Sequence, residues 1–254
     1  MIGPHVFGVV VPVRNEDQLL AACLAGIDRA SGRVRQPVVL VVVLDACTDR
    51  STAVLAGCQL ASVQRLVVLS SDRGNVGYAR DLGMSWLLRE FDVGGVWLAT
   101  TDADSVVPPH WLTGILRHAE QGALAVVGTV EVPDWTGHPP HTRLRYLGGY
   151  RSADGHRHVH GANLSLAAIA YLAAGGFPQL VADEDVMLVR CLVGLGLPVA
   201  WAGDLPVATS SRLVGRAPAG FARHLQSLSA STHAGSPASA GPGLPAMTAR
   251  AKSR

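Results

Sequence analysis

The sequence predicts an α/β fold: a mostly parallel sheet flanked by helices, followed by a more irregular second half and a polar tail. Three observations carry this. Short apolar runs recur through residues 6–99, segments with apolar residues at helical spacing separate them, and acidic or hydroxyl residues stand where the runs end. Short runs apolar on both faces suit parallel strands covered on both sides. Their alternation with helices implies right-handed crossovers.

The elements follow in order. Val6–Val13 is a nearly unbroken apolar run ended by Arg14–Asn15–Glu16–Asp17. Leu19, Leu20, Cys23, Leu24 and Ile27 then recur at helical spacing, with Asn15 as the expected cap. Val38–Leu44 is a second buried strand ending at Asp45, and Asp49 or Ser51 can cap the helix that carries Val54, Leu55 and Cys58. Leu66–Leu69 is a third strand, Ser70–Asn75 a loop, residues 76–89 a helix, and Val96–Ala99 the strand that delivers Asp102. In the second half, Trp111–Glu120 reads as a helix and Ala123–Val132 as a strand. Residues 134–160 read as a polar, His- and Arg-rich connection. A helix ends over Tyr171–Gly176, another runs over Asp183–Gly194, and Pro198–Leu205 is a late strand. From Ser229 the chain turns to Ala, Ser, Gly and Pro, a composition that cannot offset ordering entropy, so residues 229–254 are expected to be a disordered tail.

Composition excludes several classes. A net charge of +2 with no Lys/Arg cluster gives no case for nucleic-acid binding. Hydrophobic residues make up 48% of the 254, yet no apolar run reaches the ~18 residues that cross a bilayer. With no signal-peptide pattern at the start, the expectation is a soluble cytoplasmic protein, attachment to a membrane surface through partners being left open. The four cysteines show no C-x-x-C spacing and are expected as reduced thiols.

The chemistry concentrates at Asp102–Ala103–Asp104. At a strand end, two carboxylates one residue apart point the same way. Paired hard oxygens suit Mg²⁺ or Mn²⁺, usually shared with substrate phosphates. The plainer alternative is a polar loop, since Asp and Ser are ordinary turn and capping residues. Asp45, Ser71 and Asp102 all fall at strand carboxyl ends, where ligands sit in such sheets.

Val11–Pro12–Val13–Arg14–Asn15–Glu16, Leu44–Asp45–Ala46–Cys47–Thr48–Asp49–Arg50–Ser51 and Asp102–Ala103–Asp104 occur in an order and spacing that resembles the family 2 glycosyltransferases of the GT-A fold. Two further segments extend the resemblance. His160–Gly161–Ala162–Asn163–Leu164–Ser165 with Gly175–Gly176–Phe177 is similar to the family's acceptor-side G-A-N and G-G-F pattern, and Glu184–Asp185–Val186–Met187–Leu188–Val189–Arg190 to its E-D-x-x-L-x-x-R helix start. The resemblance covers roughly residues 6–225 and implies a Rossmann-like, mostly parallel sheet. It also implies one catalytic domain over 1–228, with 1–105 binding the nucleotide sugar and 106–228 the acceptor.

What the resemblance implies can be placed residue by residue. Pro12, Arg14 and Glu16 would border base and ribose, and Asp45 would accept a hydrogen bond from an imide N–H of uracil or guanine. Arg80 would face the sugar–diphosphate region, although Asp81 replaces the family's usual Asn beside it. Asp104 would bind a divalent metal, Mg²⁺ or Mn²⁺, while Asp102 would contact the ribose or the metal's water shell. Asp185 would be the general base, with His160, Gly161, Asn163 and Glu184 on the acceptor side. Arg212 and Arg216, after the last strand, are candidates to clamp phosphate oxygens.

Other features weigh less. The His-rich tract from His138 to His160 lacks an H-E-x-x-H or comparable zinc spacing. Trp97 and Trp201 read as core, and Trp135 as a possible sugar-stacking ring. Gly74–Asn75–Val76–Gly77 is not G-x-G-x-x-G, and the Q-x-x-R-W pattern of processive synthases is absent. The resemblance implies metal-dependent, inverting transfer of one sugar from a nucleotide-sugar donor to a small or lipid-linked acceptor. A UDP-sugar donor is favoured, with GDP- or dTDP-sugars open. The alternatives are a sugar nucleotidyltransferase and a catalytically silent nucleotide-sugar-binding module.

Overall fold

A computed structural model describes residues 4–213, 215 and 221–230 of the chain. Among these residues eight strands form one sheet in the order β3-β2-β1-β4-β7-β6-β8-β5. The first four are β1 (Val6–Val13), β2 (Val38–Asp45), β3 (Arg65–Ser71) and β4 (Val96–Thr100), and they pair in parallel around β1. Three helices connect them: α1 (Leu20–Ser31), α2 (Ser51–Gly57) and α3 (Val76–Glu90). This half follows the predicted alternation within one or two residues at most ends.

The second half mixes directions. It adds β5 (Ser105–Val106), α4 (Trp111–Glu120), β6 (Ala125–Glu131), α5 (Pro140–Gly149), β7 (Leu164–Ala167), α6 (Ala168–Ala173), α7 (Glu184–Gly194), β8 (Val199–Thr209) and α8 (Phe221–Ala230). β7 runs antiparallel to both β4 and β6, whereas β6 and β8 are parallel. The connection 134–160, read from sequence as irregular, therefore contains a helix, and α8 was not expected at all. The tail read as disordered, 229–254, was begun two residues too early, since Ser229 and Ala230 belong to α8; residues 231–254 lie outside the described residues.

Side-chain alternation along β1 divides the core. Phe7, Val9, Val11 and Val13 pack with Leu20, Cys23, Leu24 and Ile27 of α1 and with Trp111, Leu112 and Ile115 of α4. Val10 faces the other way, onto Ala79, Met84 and Leu87 of α3 and Val186, Leu188 and Val189 of α7. Two glycines let α3 lie close against the sheet. A Cβ on Gly8 would come within 2.8 Å of Leu87 Cδ2, and one on Gly83 within 3.0 Å of Val10 Cγ2. α3 thereby packs close beneath β1, and it carries Arg80 on its inner face, 3% exposed.

The parallel register fixes what meets at the sheet's carboxyl edge. Val13 lies opposite Leu44, Asp45 opposite Ser71, and Val10 opposite Thr100. The loops carrying Arg14–Glu16, Asp45–Asp49, Ser71–Asn75 and Thr101–Asp104 therefore leave the sheet side by side.

Candidate active site

Hydrogen bonds tie these loops together. Asn15 does not cap α1, whose first residues bond back to the Glu16 carbonyl. It sits instead at φ 55°, and its side-chain oxygen accepts the Thr48 N–H at 2.7 Å and the Asp49 N–H at 3.3 Å. Ala46 (φ 51°) and Asp183 (φ 61°) are the other non-glycine residues with positive φ among those described. All three adjoin predicted site residues, the usual place for such backbone strain. Asp45, 3% exposed, accepts the Gly74 N–H at 3.0 Å and the Asn75 N–H at 2.7 Å. Arg14 closes the same loop by donating to the Gly74 carbonyl at 3.2 Å.

Asp102 and Asp104 do not extend a strand. β4 ends at Thr100, and residues after it turn, with the Ser105 N–H bonded to the Asp102 carbonyl at 3.0 Å. The two carboxylates consequently meet different cations. Arg80 donates to Asp102 and to Glu184, and its Nε reaches Thr100 Oγ1 at 3.3 Å. Arg212 donates to both oxygens of Glu16, at 2.6 and 2.9 Å, and to Asp104 Oδ2 at 2.5 Å. Ser105 Oγ supports Asp104 from the other side at 3.2 Å.

These environments shift the acids. Burial pushes the Asp104 carboxyl up to about 6, with Asp102 adding and the Arg212 charge opposing. Burial also pushes Asp185 up to about 7; the Glu184 charge adds, and Arg80 and the Val186 N–H oppose. Glu184, 4% exposed, is likewise raised by burial and held down by Arg80. For Arg80, burial works against the charge, but Asp102 and Glu184 outweigh it and the guanidinium is held above its ordinary value.

One cleft of about 510 Å³ gathers these groups. Pro12, Arg14, Glu16, Asp45, Arg80, Asp102, Asp104, His160, Gly161, Glu184, Asp185 and Arg212 all line it. Gly161 has a packing reason for being glycine: a Cβ there would press within 2.9 Å of Arg80 Nη1. Arg216 lies outside the described residues. Asn163 is not a lining residue. Its amide accepts the Trp111 indole N–H at 2.9 Å and donates to the Thr129 and Leu205 carbonyls at 2.8 and 2.5 Å, pinning α4, β6 and β8 together. Asn163→Ala is thus expected to lower stability by about 2–4 kcal/mol, since it strands three buried partners. A urea melt checks this; an unchanged midpoint would return Asn163 to the acceptor side.

Asp81 also has a structural role. It accepts the Tyr171 hydroxyl at 2.7 Å, and that oxygen accepts the Phe177 N–H at 3.0 Å, anchoring the Gly175–Gly176–Phe177 turn. Trp135 packs edge-on to His138 and against Tyr146 and does not line the cleft. The histidines form no metal cluster among the described residues. Sequence reasoning missed Arg145, Tyr146, Tyr150, Phe221 and His224, which line the cleft from α5, from its C-terminal edge and from α8. The i, i+4 spacing of Tyr146 and Tyr150 was the available signal.

A parallel nucleotide-type half sheet joined to a mixed half, with paired acids at the join, defines the GT-A class of glycosyltransferase folds. The chain belongs to glycosyl transferase family 2, whose profile matches residues 8–168. Among solved structures it is similar to S. aureus TarS in complex with UDP-GlcNAc (14% identity, TM-score 0.60, covering 83% of this chain and 60% of that one). It is also similar to the mannosyltransferase PcManGT from Pyrobaculum calidifontis in complex with GDP-Man and Mn²⁺ (19%, 0.60, 85% and 59%). GalNAc-T7 with UDP, GalNAc and Mn²⁺ shares the fold as well (13%, 0.60, 88% and 48%). The chain thus spans between 48% and 60% of these chains' lengths. No curated protein sequence matches it.

Proposed function

We propose that the protein transfers one sugar from a nucleotide-sugar donor to a hydroxyl-bearing acceptor, in a single displacement that inverts the anomeric centre. The observation that carries this reading is Asp185: a carboxylate tuned to about 7 in the same cleft as Asp102 and Asp104. An acid tuned near neutrality is suited to take a proton at working pH. In the proposed step Asp185 accepts the acceptor hydroxyl's proton as its oxygen bonds to the anomeric carbon. The bond to the nucleoside diphosphate breaks, and the electron pair leaves on the diphosphate.

The donor side rests on Asp45 and Arg14 for the base and Glu16 for the ribose, Arg80 positioning Asp102 and Glu184 from below. The residues fit a divalent cation shared with a ligand. No group of three protein ligands stands together among the described residues, so water and the donor's phosphate oxygens would complete the shell. Asp104 already draws a positive group, Arg212, to its oxygen. Asp104 and Asp102 would hold the cation, which offsets charge building on the leaving diphosphate. That Mn²⁺ accompanies two of the similar structures supports this assignment. A UDP-sugar donor remains the favoured reading, GDP- and dTDP-sugars being the others. The site of action we propose is the cytoplasm; no described helix is long and apolar enough to cross a membrane.

Thermal-shift measurement tests the donor side. UDP-sugar with Mn²⁺ near 100 Kd should raise the melting temperature by about 5–10 °C. Asp104→Asn should abolish the Mn²⁺-dependent part. No shift with any UDP-, GDP- or dTDP-sugar, or a full Mn²⁺ response in the variant, would sink the assignment.

A further inference from the structure

One wall of the cleft is built from rings. Tyr146 stacks on Tyr150 at 4.9 Å, and Tyr150 stacks on His158 at 4.2 Å. Phe221 of α8 meets Tyr146 and His160 edge-on, at 5.8 and 6.2 Å. Tyr146 is buried, and Tyr150, His160, Phe221 and His224 are half-buried and line the cavity that contains Asp185.

Part of this wall's polar surface is out of a ligand's reach: the Tyr146 hydroxyl is buried, and His158 Nε2 accepts the Arg151 N–H at 3.2 Å. The Tyr150 hydroxyl accepts the Val130 N–H and bonds His160 Nε2, each at 2.9 Å. Arg145, the one charged lining residue contributed by α5 or α8, donates to the Leu228 carbonyl at 2.7 Å. No Asp, Glu, Asn or Gln of α5, α8 or residues 158–160 faces the cavity. Burial pushes His158, His160 and His224 below the ordinary imidazole range, His160 to about 3, so the wall's histidines are uncharged at neutral pH.

We propose that this wall is the acceptor subsite and that it selects a hydroxyl-bearing acceptor with a planar aromatic body over a sugar or an anion. The proposal rests on the transferase reading of the cleft. A sugar ring against this surface would bury hydroxyls without partners, which is costly. An anion would find one arginine, already engaged. A flat aromatic body instead continues the ring packing, gaining offset or edge contacts with Tyr150 and Phe221. Its hydroxyl is then free to reach Asp185.

The test is calorimetry on the full chain with three probes and no donor. They are 2-naphthol, its saturated analogue decahydro-2-naphthol, and methyl glucoside. The expected result is 2-naphthol binding about tenfold more tightly than the saturated analogue, two ring contacts being worth roughly that factor. Methyl glucoside should bind more weakly still. Phe221→Leu keeps apolar bulk without a ring, and should cut the preference to about threefold or less; Tyr150→Leu should do the same if the Phe221 variant fails to fold. Equal binding of the two naphthols, or tighter binding of methyl glucoside, overturns the aromatic subsite even if donor turnover is intact. A naphthol preference in a protein that neither binds nor turns over any nucleotide sugar overturns its role as an acceptor site along with the transferase reading.

Discussion

Asp185→Asn is expected to slow sugar transfer by about 10²–10⁴-fold, the usual contribution of a positioned base. The amide keeps the shape and cannot take a proton. Donor affinity should change far less, since the residues assigned to the base and ribose lie on the β1, β2 and β4 loops. The wild-type rate should rise with pH through about 7, where Asp185 loses its proton, and the residual rate of the variant should lack that inflection.

The same residue makes a stability prediction of opposite sign. The Asp185 pKa is about 7 when folded against 3.8 as its ordinary value, so between those limits the native state holds more protons than the unfolded chain. Its contribution therefore favours the fold at low pH and is lost as pH rises through about 7. Asp185→Asn removes that loss. The variant should be the more stable protein at pH 8 and gain nothing at pH 4, as urea midpoints at the two pH values will show. A variant that is inactive and also less stable at pH 8 would point to a structural carboxylate instead.

Arg80→Met is expected to destabilise the protein by about 3–5 kcal/mol, or on the order of 10 °C in Tm, because it leaves buried Glu184 without its cation. Asp102 loses the same partner but is half-exposed and can regain water. Most of the cost should thus sit on Glu184. The double variant Arg80→Met/Glu184→Leu should recover more than half of the lost stability, since an apolar replacement of a buried pair is often neutral. It should not recover transfer, because Asp102 would have lost the cation that holds it and Asp185 the nearby charge that favours its ionised form. Differential scanning calorimetry of the two variants decides this; equal losses in both would show that Arg80 acts through packing alone.

Much of the first half was legible because its signals are local. β2 reads as a buried strand from Val38 onward because every residue in it is apolar until Asp45, and the register then brings that carboxylate to the sheet edge. Trp111–Glu120 was bounded correctly because its apolar residues keep one helical face. α5 was missed for the opposite reason. Only Thr142 and Tyr146 of its ten residues are buried, and the helix it packs against lies some 80 residues later, as the Thr142–Ser229 bond indicates. β7, four residues long, is too short to carry a period.

The chain order of motifs determined the family and nominated the acids: Asp45, Asp102, Asp104 and Asp185 are recognisable because each stands where a strand or helix begins or ends. Tertiary structure decided their partners. Arg212 meets Glu16 across 196 residues and Arg80 meets Glu184 across 104, distances over which no local pattern carries information. It also turned Asp102 and Asp104 toward different arginines, set Asn163 to holding three elements together, and assembled a ring wall from α5, α8 and residues 158–160. The physical reason is common to all of these. Backbone pattern is set by neighbours in sequence, whereas charge pairing and burial are set by neighbours in space.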